Sequence, residues 1–337
     1  YRMDMELPTS FGTWRANVFY GEESRDRYTT DEGHWVTEWQ QQGGKVSNEF
    51  TLAQGHVLTA GMDLVQCYDG HRDEGGPEDK RIENFAGFAQ YKWSILPSLT
   101  LSAGLRYEDV SIWADNTDGD GGHYITGQYD GEDDIKRSWD ELLPKSFLTY
   151  ELDGLADFLR DTSVSAGVSK IWRAPDYHGD YNPQGKPTGA WLDPEHGVGY
   201  DLVLNRRLFK DIQLKLNYSY YEIEDFMAGN ADPEYGSRRG GGTVPVWVPA
   251  GQEYKDYHIN LEEITRQGVE VQLSGHVTDK LHCMFGYSWQ EFDYDGNKYK
   301  ASANEEIAER PEHMFKAKLT YHFLDTTSVT LNYEYQD

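Results

Sequence analysis

The residues best suited to chemistry stand in one polar stretch: Arg173 opens it, Tyr177, His178 and Tyr181 follow, and Trp191 lies near its end. A neutral imidazole at His178 can ligate a transition metal, haem iron included. The rings of Tyr177, Tyr181 and Trp191 can instead stack on a flat ligand, and an exposed loop with no ligand would use the same residue types. A second stretch, Asn116-x-Asp118-x-Asp120-Gly121, sets oxygen donors at alternate positions with a glycine sixth, which is the first half of a calcium loop. Its twelfth position is Gly127 where glutamate is required. Carboxylates that merely solvate a loop explain the same pattern. Nothing resembles a catalytic set: there is no nucleophile elbow or HExxH spacing, and the adjacent acids Glu22-Glu23 and Asp133-Asp134 point to opposite faces of an extended chain. The chain is not expected to be an enzyme and requires no cofactor.

What positions these stretches is a series of two-faced strands. In residues 212–226, Ile212, Leu214, Leu216, Tyr218 and Tyr220 fall on one face and Gln213, Lys215, Asn217, Ser219 and Tyr221 on the other. The same period recurs in residues 99–108, where Leu99, Leu101, Ala103, Leu105 and Tyr107 oppose Thr100, Ser102, Gly104, Arg106 and Glu108, and in residues 281–289 and 315–323. Thirteen such strands are expected, the first beginning at Thr13. Arg106 with Glu108, and Lys316 with Lys318, are expected on the wet face, pairing across strands. A bulge or kink is expected at Gly43-Gly44. Connections alternate between long polar excursions, among them residues 22–28, 69–81 and 114–136, and minimal turns such as Leu96-Pro97-Ser98. Residues 151–161 form a medium connection in which Leu155, Phe158 and Leu159 suit one helical turn.

Composition narrows the class. The 337 residues include 24 Tyr, 10 Trp and 13 Phe beside 34 Gly, and no apolar run approaches the ~18–20 residues a membrane helix needs. A transmembrane barrel survives that test, because half of each strand faces water. Long and short connections in alternation, with Tyr and Trp near strand ends, fit such a barrel. The net charge of −27, from 58 acidic against 31 basic residues, argues against a nucleic-acid surface, where phosphates require Lys and Arg. Cys67 and Cys283 face opposite sides of a wall and are expected to stay unbonded.

Six landmarks in order give these strands a family likeness. Trp172-Arg173-Ala174-Pro175 is followed by Asn182-Pro183, by Asp193-Pro194-Glu195 running into Tyr200-Asp201, by Tyr218 to Asp225, by Gln267-Gly268-Val269-Glu270, and by Arg310-Pro311-Glu312-His313. This series resembles the TonB-dependent outer-membrane receptors over roughly residues 86–337. The resemblance implies an all-β fold, a transmembrane antiparallel β-barrel of which about thirteen strands of 22 are present, with the plug domain, the early strands and the last strands outside this chain. It implies residence in the Gram-negative outer membrane among lipid and lipopolysaccharide. It also implies capture of a scarce small-molecule metal chelate (ferric siderophore, haem or cobalamin) in extracellular loops, and import driven by the TonB complex acting through the plug. Haem receptors of the family carry a histidine in the interval occupied by His178, whereas the Tyr and Trp of that loop also suit an aromatic siderophore or a corrin; any calcium would sit in an extracellular loop at Asn116, Asp118 and Asp120. A passive porin-like channel, or a soluble carbohydrate-binding β-protein, is the alternative that the strands alone leave open.

Overall fold

A computed structural model describes residues 1–29, 33–73, 76–115, 134–175, 192–209, 211–228, 247–249, 259–296, 299–301, 311–324 and 326–337. In chain order the strands are β1 (Arg2–Thr9), β2 (Gly12–Thr29), β3 (Gly33–Ala53), β4 (His56–Asp73), β5 (Gly76–Leu96), β6 (Leu99–Asp115), β7 (Asp134–Glu151), β8 (Thr162–Arg173), β9 (Glu195–Leu208), β10 (Ile212–Ala228), β11 (Trp247–Pro249), β12 (Ile259–Thr278), β13 (Leu281–Tyr294), β14 (Tyr299–Ala301), β15 (His313–Leu324) and β16 (Thr327–Gln336). Fourteen of them form one antiparallel sheet in which each strand pairs with its neighbour in sequence, while β11 and β14 make a separate two-stranded ribbon. A single 3₁₀ turn, Asp157–Leu159, fills the connection before β8, as the spacing of its apolar residues suggests.

The pleat gives the wall two distinct faces. On the outer face the register stacks Leu64 beside Phe85 and Met62 beside Gly87, with Tyr107 and Leu105 on the next strand; Met62, Leu64, Phe85, Leu105 and Tyr107 are all exposed. In three adjacent strands this apolar band covers residues 56–64, 85–93 and 99–107. Nine residues match the ~9–11 that a tilted strand needs to cross a bilayer. Its edges carry aromatics: Trp93 stacks on His56 at the short-turn side, and Tyr107 ends the band at the other. One step beyond, the outer face turns polar, with Gln42 donating to Gln66 at 2.9 Å and Gln66 to Glu83 at 3.0 Å.

The inner face is wet and charged. Arg106 holds Asp63 with two hydrogen bonds of 2.8 and 3.1 Å and Glu108 with one of 2.9 Å, and Asn84 donates to the same Glu108 at 2.7 Å. Arg106 reaches Asp63 across β5 because Ala86, level with both Asp63 and Glu108, is small and wholly covered. Lys316 pairs with Glu334 directly opposite at 2.8 Å. Cross-strand pairing is therefore present for Arg106, Glu108 and Lys316. Neither Cys67 nor Cys283 forms a disulfide.

Three expectations are corrected. The sheet has one more strand than thirteen, the addition being β1, in which Met3, Met5 and Leu7 lie beside Val18, Ala16 and Trp14. Residues 22–28 and 69–81 belong largely to strands, not loops, since β2–β3 and β4–β5 stay paired as far as Thr29–Gly33 and Asp73–Gly76. Ladder hydrogen bonds need no apolar side chains, so pairing continues after the chain leaves the lipid and the two-faced pattern disappears. Gly43-Gly44 is not a bulge: the register runs through it on both sides. A Cβ at Gly43 would meet Leu64 O at 2.5 Å and the Phe19 ring at 2.8 Å, so this glycine admits a close approach between strands.

Candidate functional site

A cluster of buried apolar side chains lies where β8, β10, β12 and β13 reach the long-connection end. Ile223, Phe226 and Ala228 of β10 pack with Ile259, Leu261 and Ile264 of β12, and Ile171, Tyr221, Phe292 and Tyr294 close over them. Ile259, Leu261 and Ile264 are wholly inaccessible. At ~1.5–3 kcal/mol for each large aliphatic side chain removed from water, this cluster is a strong local reason for the two longest connections, residues 174–194 and 229–258, to start and end where they do.

Polar groups fix the edges of that cluster. Arg173 and Glu195 are cross-strand partners at the last rung of β8 and β9, and the guanidinium donates to Glu195 Oε1 at 2.7 Å. The same oxygen accepts the Met227 backbone N–H at 2.8 Å, and the Glu195 side chain is only 8% exposed. One carboxylate thus ties both ends of the first connection to the start of the second. A second clip comes from Asn260, whose Nδ2 donates to Asp193 O at 2.9 Å and Asp225 O at 2.6 Å while its Oδ1 accepts Asp193 N–H at 2.9 Å. Asp225 adopts a left-handed φ of 53°, a conformation tolerated by aspartate better than by most residues. His196 Nε2 stands 3.1 Å from Glu224 Oε2 on the outer side.

Below the apolar cluster the inner face becomes polar again. Arg266 lies 5.1 Å over the Tyr221 ring and 5.8 Å from that of Phe292 and donates to Gln290 at 3.2 and 3.3 Å, while Tyr221 donates to Asp201 at 3.3 Å. Gly197 lets β9 approach β10 closely, since a Cβ there would collide with Glu222 O. At the opposite, short-turn end a polar cavity of 620 Å³ opens on the inner face between Glu151, Arg207, Lys215 and Ser274.

Of the residues singled out by sequence, Arg173 is placed at the root of the first long connection, engaged by Glu195. Tyr177, His178, Tyr181 and Trp191, and the calcium candidates Asn116, Asp118 and Asp120, lie outside the described residues. Glu195 was legible only as part of the Pro-Glu landmark. Asn260 carries no sequence signal, because its role depends on two backbone carbonyls brought together by the fold. Among the described residues no group of three or more His, Cys, Asp or Glu is arranged to hold a metal ion. The geometry is that of a rigid frame presenting two long connections on one side of a membrane wall.

Comparison with known proteins agrees with this architecture. Residues 5–337 match the family model described as TonB dependent receptor-like, beta-barrel. Among solved structures, the ferric-catecholate import receptor Fiu from K12 E. coli superposes with a TM-score of 0.65 at 13% identity, covering 99% of this chain and 52% of that one. The copper transporter OprC gives 0.67 at 15%, covering 96% and 51%. The hemophore receptor HasR of Serratia marcescens, solved with its hemophore HasA and heme, gives 0.60 at 16%, covering 99% and 57%. These identities establish a shared fold, and the chain spans about half the length of the solved relatives. No curated protein sequence matches it.

Proposed function

The chain belongs to the TonB-dependent receptor family through its β-barrel, a fold of the Gram-negative outer membrane, and from that premise we propose that it captures a scarce metal chelate in its long connections and passes it inward with energy from the TonB complex. Ferric siderophore, haem and cobalamin are the candidate cargoes. The observation that carries the reading is the shared carboxylate of Glu195, which binds Arg173 and the Met227 N–H and so mounts two long connections on one stiff base. Residues 176–191, with Tyr177, His178, Tyr181 and Trp191, would supply the contacts; the base would hold them in register. The protein makes no covalent chemistry in this scheme and contributes shape and contacts alone.

Uptake of radiolabelled iron by cells carrying the full-length receptor tests the scheme. Import is expected for one chelate class, to stop when the proton-motive force is dissipated, and to be lost in a strain lacking TonB. Uptake indifferent to both treatments would instead identify a passive pore, the reading suggested by the polar cavity of the inner face. If haem is the cargo, His178→Ala abolishes haem-dependent growth; if growth on haem is unchanged, the imidazole is not a ligand.

A further inference from the structure

At the opposite end of the wall from the long connections, β12 and β13 face each other across a tight turn, and His276 lies directly opposite His282. The two rings stand edge to face with centroids 5.0 Å apart and planes at 73°. From this geometry we propose that His276 and His282 form a chelating site for a transition-metal ion of the zinc, copper or nickel class, independent of whatever the long connections bind. With zinc–nitrogen bonds of ~2.0–2.1 Å, two imidazoles meeting at a tetrahedral angle place their centroids roughly 5.2 Å apart, and at a right angle roughly 4.5 Å. The observed separation falls between the two.

Three further features fit a cation here. Among the described residues neither ring makes a hydrogen bond or an ion pair, so no neighbouring side chain competes for their nitrogens. Imidazole is a donor suited to zinc, copper and nickel, and a turn that already fixes both strands lets the second ring act at high effective concentration once the first has bound. Access is open: His276 is exposed, and Ser274, two residues before it on the same face, lines the 620 Å³ polar cavity together with Glu151, Asp153 and Asp161. Water and chloride can complete the coordination. His322 lies on the same inner face of β15 but pairs with Ser328, one diagonal step from His282, whose direct partner is Thr320.

The test uses the full-length receptor purified in detergent without a histidine tag, titrated with zinc chloride by calorimetry and with cupric ion by electron paramagnetic resonance. The native protein is expected to bind one ion that the variant carrying both H276A and H282A does not, and its cupric spectrum to show coupling to two nitrogens that this variant lacks. Either single substitution is expected to weaken binding by about tenfold or more, because chelation is lost, and H322A to leave binding intact. Equal stoichiometry and an unchanged cupric spectrum in the double variant would overturn the site, as would complete loss of binding in H322A. Heat-modifiable migration on a gel reports that each variant is folded; H276Q with H282Q replaces any alanine variant that is not.

Discussion

The β3–β6 wall and the β8–β13 end use the same two-residue period for different purposes. In the first, side chains alternate between lipid and water, and the inner face is held by charge: Asp63, Arg106, Glu108 and Asn84 bond to one another across three strands. In the second, the inner face itself becomes apolar, with Ile223, Ile264 and their neighbours buried and a single carboxylate, Glu195, fixing the rim. A wall that must only exclude lipid from water can remain polar within. A base that must hold long connections steady needs a core of its own.

The contrast can be broken most forcibly from the lipid side. Leu105→Arg is expected to destabilise the full-length receptor by about 2–4 kcal/mol, whereas Gln90→Arg, exposed on the inner face, is expected to change stability by less than about 0.5 kcal/mol; urea unfolding in micelles measures both. If the two substitutions cost the same, the assignment of faces fails. Next in size, Arg106→Leu leaves Asp63 and Glu108 without their shared donor and is expected to cost about 1–3 kcal/mol, read from the same unfolding curves. At the other end, Glu195→Ala is expected to act locally: hydrogen exchange at the Met227 amide quickens by about ten- to a hundredfold, equivalent to about 1–3 kcal/mol of local opening, with the unfolding midpoint nearly unchanged. A global loss of stability with no local change in exchange would show that the base is part of the wall. The smallest effect is expected for Asn260→Leu, about 1 kcal/mol, seen as faster exchange at Asp193.

Much of the wall was legible because lipid on one side and water on the other imprint alternation on the sequence. The strands around Leu99, Ile212 and Leu281 were found for that reason. β1 carried the same signal, Met3, Met5 and Leu7 against Arg2, Asp4 and Glu6, yet its charged side disguises so short a run. The outer parts of β2, β4 and β5 could not be read: beyond Tyr20, Gln66 and Glu83 both faces meet water, and backbone pairing leaves no mark on composition. Arg173 and Glu195 stood out as landmarks, but their bond to each other and to Met227 is a property of register. Asn260 is invisible until Asp193 and Asp225 are brought to it.

The pairing of β10 with β12 has a further consequence, for the order in which the sheet comes together. Most strands meet a partner across a turn of a few residues, but Ala228 meets Ile259 only after residues 229–258 have been looped out. Closing so long a loop costs roughly 2 kcal/mol more chain entropy than closing the three-residue turn before β10, and contacts distant in sequence form slowly. The buried ladder of Ile259, Leu261 and Ile264 lies at that junction and outweighs the cost. The joining of β10 to β12 is therefore expected to be among the late steps of assembly, its seam sealed by the apolar cluster beneath the long connections.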